Sequence, residues 1–417
     1  MKRSRVSISS YAMESPDIEA YLGIGGYQGL KKALHMKKDG VIQEVQESKL
    51  RGRGGAGFPT GKKWAGVPQD EEIYLVCNAD EGEPGTFKDR YIMEHTPFLM
   101  VEGMTIAGYG VGASKGYIYI RGEYPAIAET IQGVLEAARK QNLLGKNILD
   151  GDFSFDIEIK RGGGSYVVGD ETALLSSLMG KRGFPWMKPP YPTEKGLWDR
   201  PTVVNNVETL TYVPLILAHG AAAFADIGAP GSPGPKLYSV SGNVNSPGVY
   251  EFPMGVSVKE LLKAAGGVQG QLKAVQIGGT AGPLYDDTAL SMQLDYDSMN
   301  AAGGTLGSGA VVVMNSKTNM AGVLDVSMRF FAEESCGQCF PCRYGTRQLS
   351  YMARRIASGS GEQHYLPLMR ETGEVMRATS FCPFGQSVCT PLNSLLDQFG
   401  DEVEGFIRQQ DYIREVI

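Results

Sequence analysis

The sequence predicts an α/β fold followed by a small strand-rich domain and a terminal helical bundle, on three observations. Strand, helix and strand patterns succeed one another within about 45 residues, the mark of a βαβ unit. A run of breakers, Ala229-Pro230-Gly231-Ser232-Pro233-Gly234-Pro235, closes that region. From about residue 320 onward, apolar residues recur at helical spacing.

The elements follow in order. Residues 1–50 form an N-terminal segment, helical in part over Leu30 to Met36 and Val41 to Leu50. Residues 51–228 form the α/β domain. Ile73 to Cys77 is an apolar run typical of a buried strand, and Tyr117 to Ile120 is another. Pro125 opens a helix, a favoured place for proline, and Ile127, Ile131, Val134, Leu135 and Ala138 share its face. Phe153 to Ile159 alternates strictly, as a half-buried strand does. The breaker run is expected to be a linker without strand or helix. In residues 236–318, Leu237 to Val240 is a strand, 245–248 an Asn-Ser-Pro-Gly turn, Val258 to Ala265 a helix and Ala310 to Val313 a closing strand. In residues 319–417, Met328, Phe331 and Ala332 share one helical face, and Leu349, Met352, Ala353 and Ile356 another. There is no internal repeat.

Composition narrows the function classes. The chain has 417 residues, 42% hydrophobic and 21% charged, which excludes wholesale disorder. Its length allows roughly two to four domains. A net charge of −6 argues against a nucleic-acid partner. Lys2, Arg3 and Arg5 precede no apolar core, so no secretory signal is expected. The best apolar stretch, Tyr212 to Ala218, is too short to span a bilayer. A cytoplasmic location follows, with any membrane link made through partners rather than by direct insertion.

Six cysteines are present, five of them from Cys336 onward. Cys336-Gly-Gln-Cys339-Phe-Pro-Cys342 is a C-x2-C-x2-C run, and Cys382 is a distant fourth candidate. Three thiolates at this spacing wrap one corner of a 4Fe-4S cubane and a remote fourth closes it. Structural zinc is the alternative, although zinc sites more often use two separated pairs. Cys389 is either a buried free thiol or the fourth ligand. Cys77, inside an apolar strand, belongs to the core.

Three loops carry further chemistry. Gly52-x-Gly54-x-x-Gly57 matches the dinucleotide fingerprint in form, but a helical pattern precedes it where the fingerprint needs a strand. Its bare amides, with Lys63 nearby, suit an anionic ligand. Arg161-Gly162-Gly163-Gly164 does follow a strand, and Asp170-Glu171 then opens a helix. Those acids either complement the helix dipole or bind ribose hydroxyls, where they would also repel a 2′-phosphate and favour NAD over NADP. Asn78, Asp80, Glu81 and Glu83 emerge at the carboxyl end of a strand, where α/β sheets place ligands; solvated loop charge is the alternative. His35, His95, His219 and His364 fit no metal or triad pattern, and no hydrolase motif occurs.

The segments Arg51 to Gly61, Cys77 to Arg90 and Glu334 to Arg343, in this order, resemble the NADH-binding flavoprotein subunit of respiratory complex I. They are similar too to the diaphorase subunits of NAD-linked hydrogenases, formate dehydrogenases and flavin-based bifurcating oxidoreductases. The resemblance covers about residues 20 to 405. It implies a Rossmann-like FMN/NADH domain, then a ubiquitin-like (β-grasp), soluble-ligand-binding domain, then a helical bundle holding a 4Fe-4S cluster. It implies FMN contacts at Gly52, Gly54, Lys63, Asn78, Asp80, Glu81, Tyr166, Gly169, Asn205 and Asn206. NAD(H) contacts would be Phe58, Glu83, Glu171, Lys188 and Tyr191, and cluster ligands Cys336, Cys339, Cys342 and Cys382. No side chain acts as a catalytic acid, base or nucleophile in this scheme, because hydride passes directly from nicotinamide to flavin and electrons then leave singly. With one cluster in the chain, the resemblance implies a partner: a small 2Fe-2S, thioredoxin-like subunit and further electron-transfer subunits. Two features depart from the family pattern, Asp170 where relatives carry Glu, and the extra Cys389. A non-catalytic, zinc-binding assembly subunit is the competing expectation, and the loops at 51–64 and 78–89 speak against it.

Overall fold

The computed structural model describes residues 6–416, and their side chains through residue 407. Lys2, Arg3 and Arg5 lie outside the described residues. Helices α1 (Ile18–Gly23), α2 (Gln28–Leu34), α3 (Lys38–Glu47) and α4 (Thr60–Ala65) lead into the α/β unit. This unit runs β1 (Tyr74–Ala79), α5 (Lys88–His95), α6 (Pro97–Val111), β2 (Lys115–Ile120), α7 (Pro125–Lys140), β3 (Asp156–Arg161), α8 (Glu171–Leu178), β4 (Thr202–Asn206), α9 (Val207–His219) and α10 (Ala221–Ala225).

The sheet order is β3-β2-β1-β4 and every pair is parallel. Parallel sheets are covered on both faces, which is why Leu75, Val76 and Cys77 are all fully buried and read as one apolar run. Pro125 occupies the first turn of α7, whose residues Ile127, Ile131, Val134, Leu135 and Ala138 face the core. The apolar stretch from Tyr212 to Leu217 is buried within α9. Among the described residues no helix is long and apolar enough to cross a membrane. Strand order matters most for the site. The chain walks from β1 outward to β3, then returns to add β4 on the other side of β1. The crevice beyond the carboxyl ends of β1 and β4 is therefore a topological switch point.

Two expectations need correction. The third strand starts at Asp156, not Phe153. Phe155 instead bridges Gly145 and packs beneath Gly108 and Gly116, where an added Cβ would lie 2.7 and 2.6 Å from its ring. The breaker run is also not a structureless linker. It forms a small antiparallel hairpin, β5 (Gly228–Ala229) and β6 (Ser232–Pro233), and Pro235 begins β7 (Pro235–Gly242). Proline lacks an N–H but keeps its carbonyl. The carbonyls of Pro233 and Pro235 both accept from buried Arg53, at 2.7 and 3.1 Å.

A second sheet continues through β8 (Gly248–Pro253), α11 (Val258–Ala264), β9 (Leu272–Ile277), β10 (Leu284–Tyr285), α12 (Tyr296–Ala301) and β11 (Ala310–Asn315). Its order is β10-β9-β11-β7-β8, with only β11 and β7 parallel. A capping box of Ser257 and Glu260 starts α11, and Leu261 and Leu262 join Tyr238, Val240, Val275 and Val311 in a separate core. Helices α13 (Met320–Glu334), α14 (Phe340–Ala357), α15 (Tyr365–Thr379), α16 (Pro383–Ser387) and α17 (Cys389–Val416) complete the chain. Met328, Phe331, Leu349, Met352, Ala353 and Ile356 are buried together there, while Ala332 is only half-buried.

Candidate functional site

The switch-point crevice is built from three loops and two strand ends. A helix, α3, precedes the glycine loop, and α4 follows it, so the loop lacks the strand-to-helix setting of the dinucleotide fingerprint. Gly52 closes the loop by donating to the Phe58 carbonyl at 2.8 Å. Gly54 lies against the end of β4: a Cβ there would stand 2.9 Å from the Asn206 Cβ. Only glycine allows the loop backbone this close to the strand end.

The strand ends are tied down. Asn78 donates to the Gly169 carbonyl at 3.0 Å and accepts from the Asp80 amide at 3.1 Å. Asn205 accepts from the Trp64 indole at 2.8 Å. Asn206 caps α9 and donates to Asp89 at 2.6 Å.

The acids after β1 are not solvated loop charge. Asp80 has a buried carboxylate oxygen, Oδ2, without a hydrogen-bond partner. Burial pushes its carboxyl up to about 7, against the pull of Arg121. An orphaned acceptor at a crevice mouth fits a ligand that brings a donor. Glu81 behaves differently. Its carboxylate takes the Asp89 and Arg90 amides at 2.7 and 2.9 Å, so the side chain holds the start of α5. Glu83 accepts from the Tyr166 hydroxyl and from the Thr280 amide, the latter at 2.6 Å. Burial raises its carboxyl, and those hydrogen bonds offset part of the rise.

Glu171 and Lys63, expected to serve different ligands, meet here. Lys63 Nζ lies 3.0 Å from Glu171 and 3.1 Å from the Val204 carbonyl, and Lys188 Nζ lies 2.6 Å from Glu171. Burial alone would raise the Glu171 carboxyl, but the two ammonium groups outweigh it and hold it below the ordinary range. Asp170 takes the structural role instead. It is the N-cap of α8 and accepts from the Thr172 and Ala173 amides at 2.8 and 3.2 Å. Phe58 is 49% and Tyr191 52% exposed, so neither ring is core. Exposed aromatics suit stacking on a planar ligand.

A second centre lies in the helical region. Cys336 and Cys339 precede α14, Cys342 sits in its first turn, and Cys382 caps α16. Burial pushes the Cys342 thiol up to about 12, and the nearby sulfurs of Cys339, Cys382 and Cys336 add to the rise. Cys342 thus has the other three as neighbours, a soft donor set of the kind that suits an iron–sulfur cluster, although among the described residues no group of three or more ligating side chains is already closed around a metal position. Cys389 is apart from them. It is 4% exposed, bonds the Gln386 carbonyl at 3.4 Å, and answers electrostatically to Glu374 and Arg377. Cys77 is fully buried in β1.

Tyr166 joins the two centres. Its amide donates to Glu334 at 2.9 Å, and its ring packs against Phe330 at 5.0 Å and Phe384 at 5.6 Å. Phe384 lies in α16, directly behind Cys382. Sequence reasoning missed Arg121, Glu334 and Thr280 around this junction. Glu334 opens the cysteine motif, and that adjacency is its one sequence signal; Arg121 and Thr280 carry none without tertiary contacts.

Known proteins resemble this chain along most of its length. Residues 45–215 match the model of the Nuo51 FMN-binding domain, 237–282 that of the SLBB domain, and 322–405 that of the NADH-ubiquinone oxidoreductase-F iron-sulfur binding region. The chain is 44% identical to an NADH-quinone oxidoreductase F-type subunit of Rhizobium meliloti, over 94% of this chain and 95% of that one. It is 41% identical to the NADP-reducing hydrogenase subunit HndC of Solidesulfovibrio fructosivorans, over 97% and 84%. A solved NAD+-reducing [NiFe]-hydrogenase, in its H2-reduced state, is 37% identical and superposes with a TM-score of 0.86, covering 94% of this chain and 67% of its own. The chain belongs to the family of FMN- and 4Fe-4S-bearing oxidoreductase subunits that includes the F-type subunits of NADH-quinone oxidoreductases.

Proposed function

We propose that this chain is the electron-entry subunit of a larger complex, taking hydride from NADH and releasing single electrons through its cysteine centre. The observation that carries the reading is Tyr166, which touches the switch-point crevice through Glu83 and the cysteine centre through Phe384. When bound, FMN supplies hydride acceptance and two-to-one electron conversion, and a 4Fe-4S cluster supplies a one-electron exit.

The chain's own residues bind and orient. The amide of Gly54, with Lys63, offers positive potential to a phosphate, and Gly52 shapes the loop by giving its own amide to the Phe58 carbonyl. Lys63 is shared with Glu171 at 3.0 Å, so an incoming phosphate competes for it and loosens Glu171. Glu171 and Glu83 are the acceptors for ribose hydroxyls, and Phe58 and Tyr191 are the aromatic faces for adenine. Lys188 steadies Glu171 from the other side at 2.6 Å. Asn78, Asp80, Tyr166, Gly169, Asn205 and Asn206 line the flavin's place, and Glu81 supports it through α5. Cys336, Cys339, Cys342 and Cys382 hold the cluster, while Cys389 remains a packed thiol.

Relatives are subunits of multi-subunit complexes, so the electrons have a partner to go to. A small 2Fe-2S, thioredoxin-like subunit and further electron-transfer subunits are the partners of this reading. Both a quinone-reducing and a hydrogenase host are compatible with it, the first supported by the likeness to F-type subunits and the second by the likeness to the NAD+-reducing hydrogenase.

The test is an anaerobic optical spectrum of the purified chain before and after NADH. Bleaching of flavin bands together with loss of the broad iron–sulfur absorbance supports the reading. A colourless protein that retains zinc when prepared anaerobically would sink it.

A further inference from the structure

The glycine loop is held by the second domain as well as by its own. Tyr296, in α12, donates its hydroxyl to the Gly52 carbonyl at 2.6 Å. Lys236, in β7, reaches the Arg53 carbonyl at 3.3 Å. Arg53 sends its guanidinium the other way, to the carbonyls of Pro233 and Pro235. Arg53 and Lys236 are both 0% exposed, and the Nε and Nη1 of Arg53 have no partner.

The charge continues to the other arm of the crevice. Lys236 meets Glu208 at 3.2 Å, and Glu208 meets Lys88 at 3.0 Å. Lys88 in turn lies 3.3 Å from the Asn206 side-chain oxygen. One buried chain of charges therefore joins β7 to the glycine loop and to the end of β4.

Apolar contact could join two domains without the desolvation cost of a buried lysine. What a cation on one carbonyl adds is direction. The peptide unit is planar and trans, so the Arg53 carbonyl and the Gly54 N–H point opposite ways. With that carbonyl drawn toward Lys236, the Gly54 amide is aimed away from the second domain. Tyr296 fixes the preceding plane, whose Arg53 N–H is given to the Thr209 hydroxyl at 2.8 Å, and so anchors the stretch that leads into Gly54.

The geometry points to Lys236 and Tyr296 as positioning residues of the flavin site, through which the second domain anchors the glycine loop and aims the Gly54 amide. The inference rests on the flavin reading above. It gives the small strand-rich domain a task inside the chain: keeping the phosphate-facing loop in one orientation.

The experiment uses the full chain with its cluster, stripped of FMN and titrated back, with bound FMN followed by quenching of its fluorescence. Tyr296→Phe and Lys236→Met are each expected to raise the FMN Kd about tenfold, the scale of one lost hydrogen bond to a fixed group. Lys236→Arg should restore most of the loss, and the cluster's EPR signal should be unchanged in all three. An FMN Kd within about twofold of wild type in Tyr296→Phe would overturn the proposal, even if Lys236→Met melts earlier. Should Lys236→Met fail to fold, Tyr296→Phe decides alone. Failure of the wild-type chain to bind FMN would instead overturn the flavin reading, which keeps the two outcomes apart.

Discussion

Cys382 and Cys389 flank the short helix α16, yet their surroundings differ. Cys382 acts on Cys342 and is itself acted on by Cys336, whereas Cys389 answers to Glu374 and Arg377. Cys382→Ser is expected to abolish the cluster's EPR signal, and Cys389→Ser to retain it; the opposite pattern would exchange their roles. Glu171 supports a second prediction. With its carboxylate gone, a 2′-phosphate is no longer repelled, so Glu171→Gln should raise the ratio of NADPH to NADH kcat/KM by ~10-fold; an unchanged ratio would place the selectivity elsewhere. Asp80 supports a third. Its folded value, about 7, lies above the ordinary 3.8, so the folded chain keeps a proton that the unfolded chain sheds across that window. Stability therefore falls as pH rises through the window, being largest below it. In the FMN-free chain, Asp80→Asn should flatten that part of the melting profile, and an identical slope would refute the assignment. Among single residues, the sequence was legible where chemistry is local. The spacing of Cys336, Cys339 and Cys342 speaks for itself, but Cys382 and Cys389 are told apart only by the placement of α16 and α17. Asp170 reads equally as cap or ligand until the Thr172 and Ala173 amides are located.

At the scale of elements, periodicity carried far. The α7 stripe, the apolar β1 run and the C-terminal helical faces all follow from spacing. It failed where a tertiary partner replaces a local rule. Phe153 and Phe155 alternate like a strand, but Phe155 is claimed by Gly108 and Gly116. The proline-rich stretch becomes a hairpin because Arg53, remote in sequence, supplies donors to its carbonyls. Close helix packing is a further feature of this level. A Cβ at Gly103 in α6 would lie 2.0 Å from the Leu210 carbonyl oxygen in α9. Gly103→Ala must push these buried helices apart and should destabilise the α/β unit by about 1–3 kcal/mol. Chemical denaturation checks this; a change below about 0.5 kcal/mol would mean the helices yield freely.

Across the molecule as a whole, three units meet around one tyrosine. Glu83 links the crevice to Thr280 in the second domain, and Tyr166 links Glu83 to Glu334, Phe330 and Phe384 in the helical region. Crevice and cysteine centre are thereby held in one packed structure. The order of the three motif segments made the family legible from sequence, while the contacts among the units involve residues far apart in the chain and were not. If hydride equivalents entering the crevice leave through the cysteine centre of the same chain, flavin and cluster must respond together to NADH. An anaerobic NADH titration of the purified holo-chain, read by absorbance and EPR together, decides this. The expected result is uptake of about three electrons per chain, two by FMN and one by the cluster, with the cluster's EPR signal growing as the flavin bleaches. A flavin that bleaches while the cluster stays oxidised, with NADH in excess and the cluster intact by chemical reduction, would contradict it.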